Sequence, residues 1–195
     1  MTRNLREHIL QTASELFYSQ GIKATGIDTI VKASGVAKMS LYKYFPSKDE
    51  LVLAHLQRSK EIMQTGLLNW LADNDGDPCE KLLAVFEFFS KLMANPNFRG
   101  CPFINAAAEF AEQANPVQQA TAEFYKSFRG LLADLAKQAG IANADELASQ
   151  LSMLIAGAIV REQMQKQSGA MRTATTAAEI LIEKSLAESQ AILPI

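Results

Sequence analysis

One short stretch of the sequence concentrates side chains that donate hydrogen bonds. The donors are Lys38, Ser40, Tyr42, Lys43 and Lys48. Ammonium, hydroxyl and phenol groups donate to phosphate oxygens and to acceptors on base edges. Met39, which lies among them, offers an apolar contact of the kind that a thymine methyl group accepts. The chemistry that this stretch predicts is binding to nucleic acid, with the bases read by side chains.

Two short predicted helices position these donors. The first covers about 26–33, with Thr25 as its capping residue and Asp28 three residues later, close to a capping box. Gly35 makes a turn, and the second helix covers 38–44 ahead of a proline. Two short helices joined by a glycine-containing turn describe a helix-turn-helix, whose second helix enters the major groove. Two ordinary packed helices give the same pattern, so the spacing alone leaves that alternative open.

The rest of the chain shows helical periodicity and no convincing strand. A first helix ends near Gly21, and a long helix of about 48–70 begins after Ser47, which caps it. Further apolar helices are predicted at 79–94, at 103–113, before Gly140, at 144–167 and at 173–191. The prediction is an all-α protein in which an N-terminal three-helix head, residues 1–47, is joined by a long helix to a helical body within residues 48–195.

Charge and composition narrow the class of protein. Of the 195 residues, 48% are hydrophobic and 21% charged, as in an ordinary folded protein. Residues 1–60 hold nine Lys or Arg and five Asp or Glu, whereas residues 61–195 hold ten and sixteen. This asymmetry indicates a basic head that binds a polyanion. No apolar run approaches the roughly 20 residues that span a bilayer, and no secretory signal is evident, so we expect a cytoplasmic protein without a membrane partner.

The segment 25–51 resembles the N-terminal signature of TetR-family regulators. The matching features are a Thr-led helix, a turn at 33–36, a Leu-Tyr-x-Tyr-Phe recognition helix at 41–45 and a Ser-Lys-Asp-x-Leu start of the fourth helix at 47–51. The resemblance implies an all-α homodimer in which the last two helices of each subunit form the interface. It also implies a small-molecule pocket among the middle helices, and release of a double-stranded DNA operator when ligand binding moves the fourth helix.

Two residues depart from the family pattern. The family usually has Ser or Thr where Ala37 stands, which weakens the N-cap of the recognition helix, and Gly where Met39 stands. DNA binding stays the favoured interpretation, and these departures are the best support for the competing one, a helical small-molecule-binding or interaction protein that has lost DNA binding. An enzyme ranks third, because no acid/base or nucleophile set can be assembled. The predicted DNA contacts are Thr25, Lys38, Met39, Ser40, Tyr42, Lys43 and Lys48, with Thr25 and Ser40 in assisting roles.

Two further predictions concern the body, residues 48–195, which the resemblance assigns to ligand binding and dimerisation. The helices within 144–191 carry an apolar face that predicts a homodimer interface. Its residues are Leu147, Leu151, Leu154, Ile155, Ala158, Ile159, Ile180, Leu181 and Ile182. The predicted pocket draws on Trp70, Phe86, Phe89, Met93, Phe103 and Phe124. These residues predict a hydrophobic or aromatic effector, although the same residues are equally expected as plain core.

The cysteines and histidines support no metal or redox cofactor. Cys101 precedes a predicted helix near an arginine, so it is either a sensor thiol with a lowered pKa or, with more weight, a small buried apolar residue. Cys79 is expected at a helix start. His8 and His55 are far apart in sequence, and no His-x-x-x-His or Cys-x-x-Cys spacing occurs. We therefore predict no cofactor, no metal ligand and no catalytic residue.

Overall fold

The computed structural model describes residues 5–110, 112 and 114–192, and within them every regular element is a helix. The helices are α1 (Leu5–Gln20), α2 (Ile27–Ser34), α3 (Lys38–Tyr44), α4 (Lys48–Ala72), α5 (Pro78–Met93), α6 (Pro102–Glu109), α7 (Pro116–Gln138), α8 (Ala144–Met164) and α9 (Ala170–Ile192). The predicted all-α fold is confirmed. The outermost residues of the two predicted domains, 1–4 and 193–195, lie outside the described residues.

One compact unit is formed by the described residues of 1–62 and 101–123. Within it α1 packs against α2 and α3, and these two short helices pack against each other. Ile9, Ile30 and Leu41, one from each helix, are fully buried at their junction. His8 Nε2 lies 2.9 Å from the carbonyl oxygen of Ser34, which ties α1 to the last residue of α2. The three-helix head therefore holds α3 in a fixed orientation.

The turn between α2 and α3 follows the prediction. Gly35 has φ 67°, a left-handed conformation that glycine adopts without the steric penalty of a β carbon, and its N–H donates to the Val31 carbonyl. Ala37 is the N-cap of α3 and supplies no side-chain hydrogen bond. The first turn of α3 thus lacks the side-chain cap that a serine or threonine would give.

The predicted capping box at Thr25 is wrong. Gly26 is the N-cap of α2, and no side chain caps this helix. Thr25 is fully buried, and its hydroxyl donates to the carbonyl of Gly21 at 2.7 Å. The Thr25 hydroxyl therefore stabilises the loop between α1 and α2, because it donates its hydrogen to the preceding turn and does not cap α2.

A second compact unit is formed by residues 63–100 and the described residues of 124–195. Here α5 packs against α8 and α9, and α8 packs along α9. Asp77 and Glu80 form a reciprocal capping box at the start of α5, which fixes the direction in which that helix leaves the acidic loop. None of the described helices is long and apolar enough to cross a membrane.

The turn between α8 and α9 explains why α8 ends, and α9 begins, before the predicted residues. The carboxylate of Glu162, 7% exposed, accepts hydrogen bonds from the N–H groups of Gln167 and Ser168 and from the Ser168 hydroxyl. The hydroxyl bond lowers the pKa of Glu162 most, and the two N–H bonds also lower it. This arrangement stops α8 at Met164 instead of 167 and lets α9 begin at Ala170 instead of 173. Similarly, α6 ends at Glu109, before the predicted 113, because Phe110 leaves helical geometry.

Candidate DNA-binding surface and effector cavity

The recognition helix α3 presents its predicted contact residues to solvent. Leu41 is fully buried and anchors the helix, whereas Met39 is 82% exposed and Tyr42 is 39% exposed. Lys43 is exposed as well, and Ser40 is half-buried. The Met39 thioether is open to water and therefore has no packing role within this chain. The exposed face of α3 is therefore open to a partner, and its donors are complementary to the acceptor atoms that phosphates and base edges offer.

Lys38 at the start of α3 is paired within the chain. Its Nζ lies 2.8 Å from Oδ1 of Asp28, on the first turn of α2, and both side chains are exposed. The hydrogen bond that Lys38 donates to Asp28, and then the negative charge of Asp28, raise the pKa of Lys38. The ammonium therefore stays charged, and a phosphate group can replace this exposed carboxylate as its partner. The sequence pattern had assigned Asp28 to helix capping, whereas the structure places it beside the predicted contact surface.

Lys48 opens α4 beside a capped helix start. The hydroxyl of Ser47 accepts the Glu50 N–H at 3.1 Å, as predicted for a cap, and Lys48 Nζ lies 3.5 Å from the carbonyl oxygen of Lys23. Helix N-termini favour anions because their N–H groups and dipole point at the ligand. Lys48 therefore has the surroundings expected of a phosphate contact.

Thr25 differs from the other predicted contacts. Its side chain is fully buried and its hydroxyl is bonded to the Gly21 carbonyl, so it presents no donor at the surface. The structure gives its predicted assisting role in DNA binding no support from the side chain. Its contribution is to hold the loop that precedes α2.

A cavity of about 200 Å³ lies in the second unit between α4 and α7. It is lined by Met63, Gln64, Leu67, Leu68, Phe124, Ser127, Phe128 and Leu131. The rings of Phe124 and Phe128 lie parallel, with centroids 6.4 Å apart. None of the lining side chains carries a charge, and the polar groups are one amide and one hydroxyl. Such a lining suits an uncharged, mainly apolar ligand.

Of the six residues predicted for the pocket, Phe124 lines this cavity. Phe86, Phe89 and Met93 are buried in α5, as the plain-core alternative expected, and Phe103 is buried in the first unit. The lining residues that the prediction missed include Phe128 and Leu131. Their signal was the spacing of four and seven residues after Phe124, which places them on one face of α7.

Trp70 is held against α5. Its indole Nε1 donates to the carbonyl of Ala84 at 2.8 Å, and Lys91 Nζ lies 3.7 Å from the ring centroid, in a cation–π contact. The ring therefore fixes the last turns of α4 to α5 and does not line the cavity. It is nevertheless one turn beyond Leu67, which does.

The outer face of α8 and α9 is apolar and open. Met153, Met164 and Ile180 are each more than 60% exposed. A groove of about 740 Å³ runs between the two helices, with small residues such as Gly157 and Ala177 in its lining. The residues that sequence periodicity had placed at an interface divide between two faces. Leu147, Leu151, Ile155 and Ile159 are buried within the chain, whereas Leu154 and Leu181 line the groove and Ile180 is exposed.

Of the two cysteines, Cys101 is buried and Cys79 is partly exposed. Cys101, 5% exposed, is the N-cap of α6, and Cys79 lies at the start of α5 as predicted. The described part of the chain holds no group of three or more His, Cys, Asp or Glu side chains that could bind a metal ion. The burial of Cys101 agrees with the packing alternative for this thiol.

The N-terminal head has three helices around a buried core, and its third helix, α3, is basic and exposed. These features define a helix-turn-helix DNA-binding unit. Comparison with known proteins agrees: the family model for bacterial regulatory proteins of the tetR family matches residues 9–55. A second model, the C-terminal domain of tetracycline-repressor-like proteins, matches residues 78–178. The chain belongs to the TetR family, whose members are transcriptional regulators and not enzymes.

Individual relatives cover nearly the whole chain. The HTH-type transcriptional regulator YxaF of Bacillus subtilis is 30% identical over 183 residues, 92% of this chain and 95% of the relative. The regulator LmrA of the same organism is 29% identical over 84% of this chain and 88% of its own. The crystal structure of a TetR-family transcriptional regulator from Streptomyces coelicolor superposes with a TM-score of 0.88 at 27% identity, covering 93% of this chain and 96% of that one.

Proposed function

We propose that this chain is a ligand-responsive repressor that binds a palindromic operator as a homodimer and is released by a small hydrophobic or aromatic molecule. The observation that carries the proposal is the exposed face of α3. It presents a thioether, a phenol and two ammonium groups from a helix whose buried Leu41 fixes its orientation. Residues 1–47 then serve as the DNA-binding domain and residues 48–195 as the ligand-binding and dimerisation domain. A protein that regulates transcription in this way works in the cytoplasm.

The dimer part of the proposal rests on the open face of α8 and α9. Exposed Met153, Met164 and Ile180 beside a long groove form an apolar surface that water covers poorly in a monomer. A two-fold partner presents the same surface in return, and small residues allow close approach of helices. Two heads related by a two-fold axis then match an inverted repeat with half-sites about one helical turn apart.

The effector part of the proposal rests on the cavity between α4 and α7. Its lining carries no charged side chain, so burying an ionised ligand there would leave the charge unpaired. The helix α4 carries Lys48 in its first turn and Leu67 of the cavity near its end. We infer that a ligand which shifts α4 reduces operator affinity by about 5–150-fold, the effect of a coupling of about 1–3 kcal/mol.

The repressor role draws on a named relative. The HTH-type transcriptional repressor NemR of Escherichia coli is 26% identical over 68% of this chain and 65% of its own length. Physical reasoning agrees, because a dimer that covers about two turns of duplex blocks other proteins from that duplex. Loss of binding on addition of the effector then turns transcription on.

Selection of duplexes from a random library tests DNA binding and its symmetry together. We expect the recovered sequences to share an inverted repeat, and light scattering of the free protein at micromolar concentration to give a dimer mass. Recovery of no shared sequence would favour the competing function, a helical binding protein that has lost DNA binding. A monomer mass would refute the proposed interface.

The effector chemistry is tested with a matched pair of compounds. We expect the neutral 2-naphthol to change the fluorescence of Trp70, the sole tryptophan, and to release operator DNA, whereas the 2-naphthoate anion does neither. Leu131→Lys places a charge in the cavity wall and should reverse or abolish the preference. Equal responses to the two compounds would contradict an uncharged site.

A further inference from the structure

The side chain of Glu109 contacts the loop between α1 and α2. Its Oε1 accepts the Ile22 N–H at 2.9 Å, and its Oε2 accepts the Lys23 N–H at 2.5 Å. Glu109 is the last residue of α6, a helix that follows the recognition helix by almost sixty residues yet belongs to the same compact unit. Both oxygens of one carboxylate therefore hold two successive backbone N–H groups, and charge-assisted bonds of this kind are the stronger ones.

The loop is shaped around that carboxylate. Gly21 has φ 94°, and a β carbon at this position would lie 3.4 Å from Glu109 Oε1. The hydroxyl of Thr25 and the N–H of Gly21 close the same turn, the first onto the Gly21 carbonyl and the second onto the Phe17 carbonyl. With the glycine, the carboxylate and the threonine in place, the loop has one defined conformation.

The held loop presents Lys23 at the surface. Lys23 Nζ lies 5.7 Å from the ring centroid of Phe110, the residue after Glu109, so the end of α6 supports the side chain as well as the backbone. Its carbonyl oxygen is 3.5 Å from Lys48 Nζ. No ion pair neutralises Lys23 within the described residues. The Lys48 ammonium group thus lies beside the backbone of the loop that carries Lys23.

We propose that Lys23 is a further phosphate contact of this regulator and that Glu109 is a positioning residue that presents it. The inference rests on the proposed DNA binding and extends the contact surface from α3 and the start of α4 to the α1–α2 loop. Glu109 itself touches no DNA, since both of its carboxylate oxygens face backbone N–H groups. Its effect reaches the duplex through the loop alone.

The test measures duplex affinity between 50 and 200 mM KCl by fluorescence anisotropy, on the selected operator and on a random-sequence duplex. Lys23→Gln should weaken binding to both duplexes by about fivefold at 0.15 M salt and reduce the slope of log K against log salt by about one, the result of one lost phosphate contact. Lys23 is exposed, so this variant does not disturb the core. An unchanged slope would overturn the phosphate contact.

Glu109→Gln tests the positioning role, with Glu112→Gln as a control of identical chemistry three residues away at an exposed site. The amide has one acceptor oxygen, so one of the two loop N–H groups loses its partner. We expect faster hydrogen exchange at Ile22 and Lys23 and the same loss of slope as in Lys23→Gln, while the control matches wild type. The double variant should lose no more slope than either single variant.

Four results would count against the inference. Additive slope losses in the double variant, or unchanged exchange in Glu109→Gln, would overturn the positioning role. Wild-type slopes in both single variants, with wild-type protein binding normally, would overturn this inference and leave the proposed function standing. Wild-type protein that binds no duplex would overturn the proposed function and this inference with it.

Discussion

The stability of the DNA-binding head depends on a neutral histidine. His55 on α4 is 4% exposed, and its ring meets the ring of Phe17 on α1 edge-on, with centroids 5.6 Å apart. Burial, and secondly the charge of Arg58 one turn away, lower the pKa of His55 from 6.5 to about 4. His55 Nδ1 has no hydrogen-bond partner among the described residues. Protonation would therefore place an unpaired charge in the core of the head.

The sign and size of the pH dependence follow from linkage. Between pH 6.5 and about 4 the unfolded chain binds more protons at this site than the folded chain, so the free energy of unfolding falls as the pH falls. The contribution is complete above pH 6.5, and the whole shift corresponds to about 3 kcal/mol. By pH 5, about 2 kcal/mol of it has been lost, a large part of the roughly 5–15 kcal/mol that stabilises an ordinary protein.

The assay compares urea unfolding at pH 7.5 and pH 5.0, at one protein concentration because a dimer gains stability by mass action. Wild type should lose about 2 kcal/mol more than His55→Gln over this interval. His8→Gln, the same change at the other histidine, should keep the wild-type loss. The imidazole NMR signal of His55 should titrate near pH 4. Equal losses in wild type and His55→Gln, or a midpoint near 6.5, would refute the reasoning.

Three other variants test the helix-turn-helix. Ala37→Ser should supply the missing N-cap of α3 and raise the free energy of unfolding by about 1 kcal/mol in urea titrations; no gain would show that the orphan N–H groups are already satisfied. Gly35→Ala should cost about 1–2 kcal/mol through the left-handed backbone alone, because its β carbon meets no atom within 4 Å; a neutral result would contradict the assigned φ. Lys48→Gln should lower duplex affinity for all sequences and reduce the salt slope by about one, whereas Lys60→Gln, twelve residues along α4, should leave the slope unchanged; equal slopes for both would remove Lys48 from the DNA contacts.

Local signals in the sequence predicted the head well. The limits of α3 at 38 and 44, the turn at Gly35 and the Ser47 cap were predicted correctly, because each depends on residues within one turn of chain. Thr25 was misplaced because a threonine hydroxyl can cap the following helix or close the preceding one. Which of the two occurs depends on the whole loop, including Gly21.

The sequence did not predict the long-range contacts. Apolar periodicity shows that Phe86, Phe89 and Trp70 are on inward faces, but it does not show which inward residues leave a gap between them. The Glu109 contact joins residues 87 apart in sequence, and a single acidic residue near a helix end carries no signal of its partner. Cavities and such contacts arise from how helices pack, which pattern analysis of one sequence does not determine.

The central claim is that α3 reads a specific DNA sequence. The most direct measurement is the ratio of affinities for the selected operator and for a scrambled duplex of the same composition, at 0.15 M salt. If α3 reads sequence, the ratio is about 10³ or more, as for other specific DNA-binding proteins, and it falls at least tenfold for Tyr42→Ala. A ratio near one in the wild-type protein would show that α3 does not read sequence, because phosphate contacts alone do not distinguish sequences.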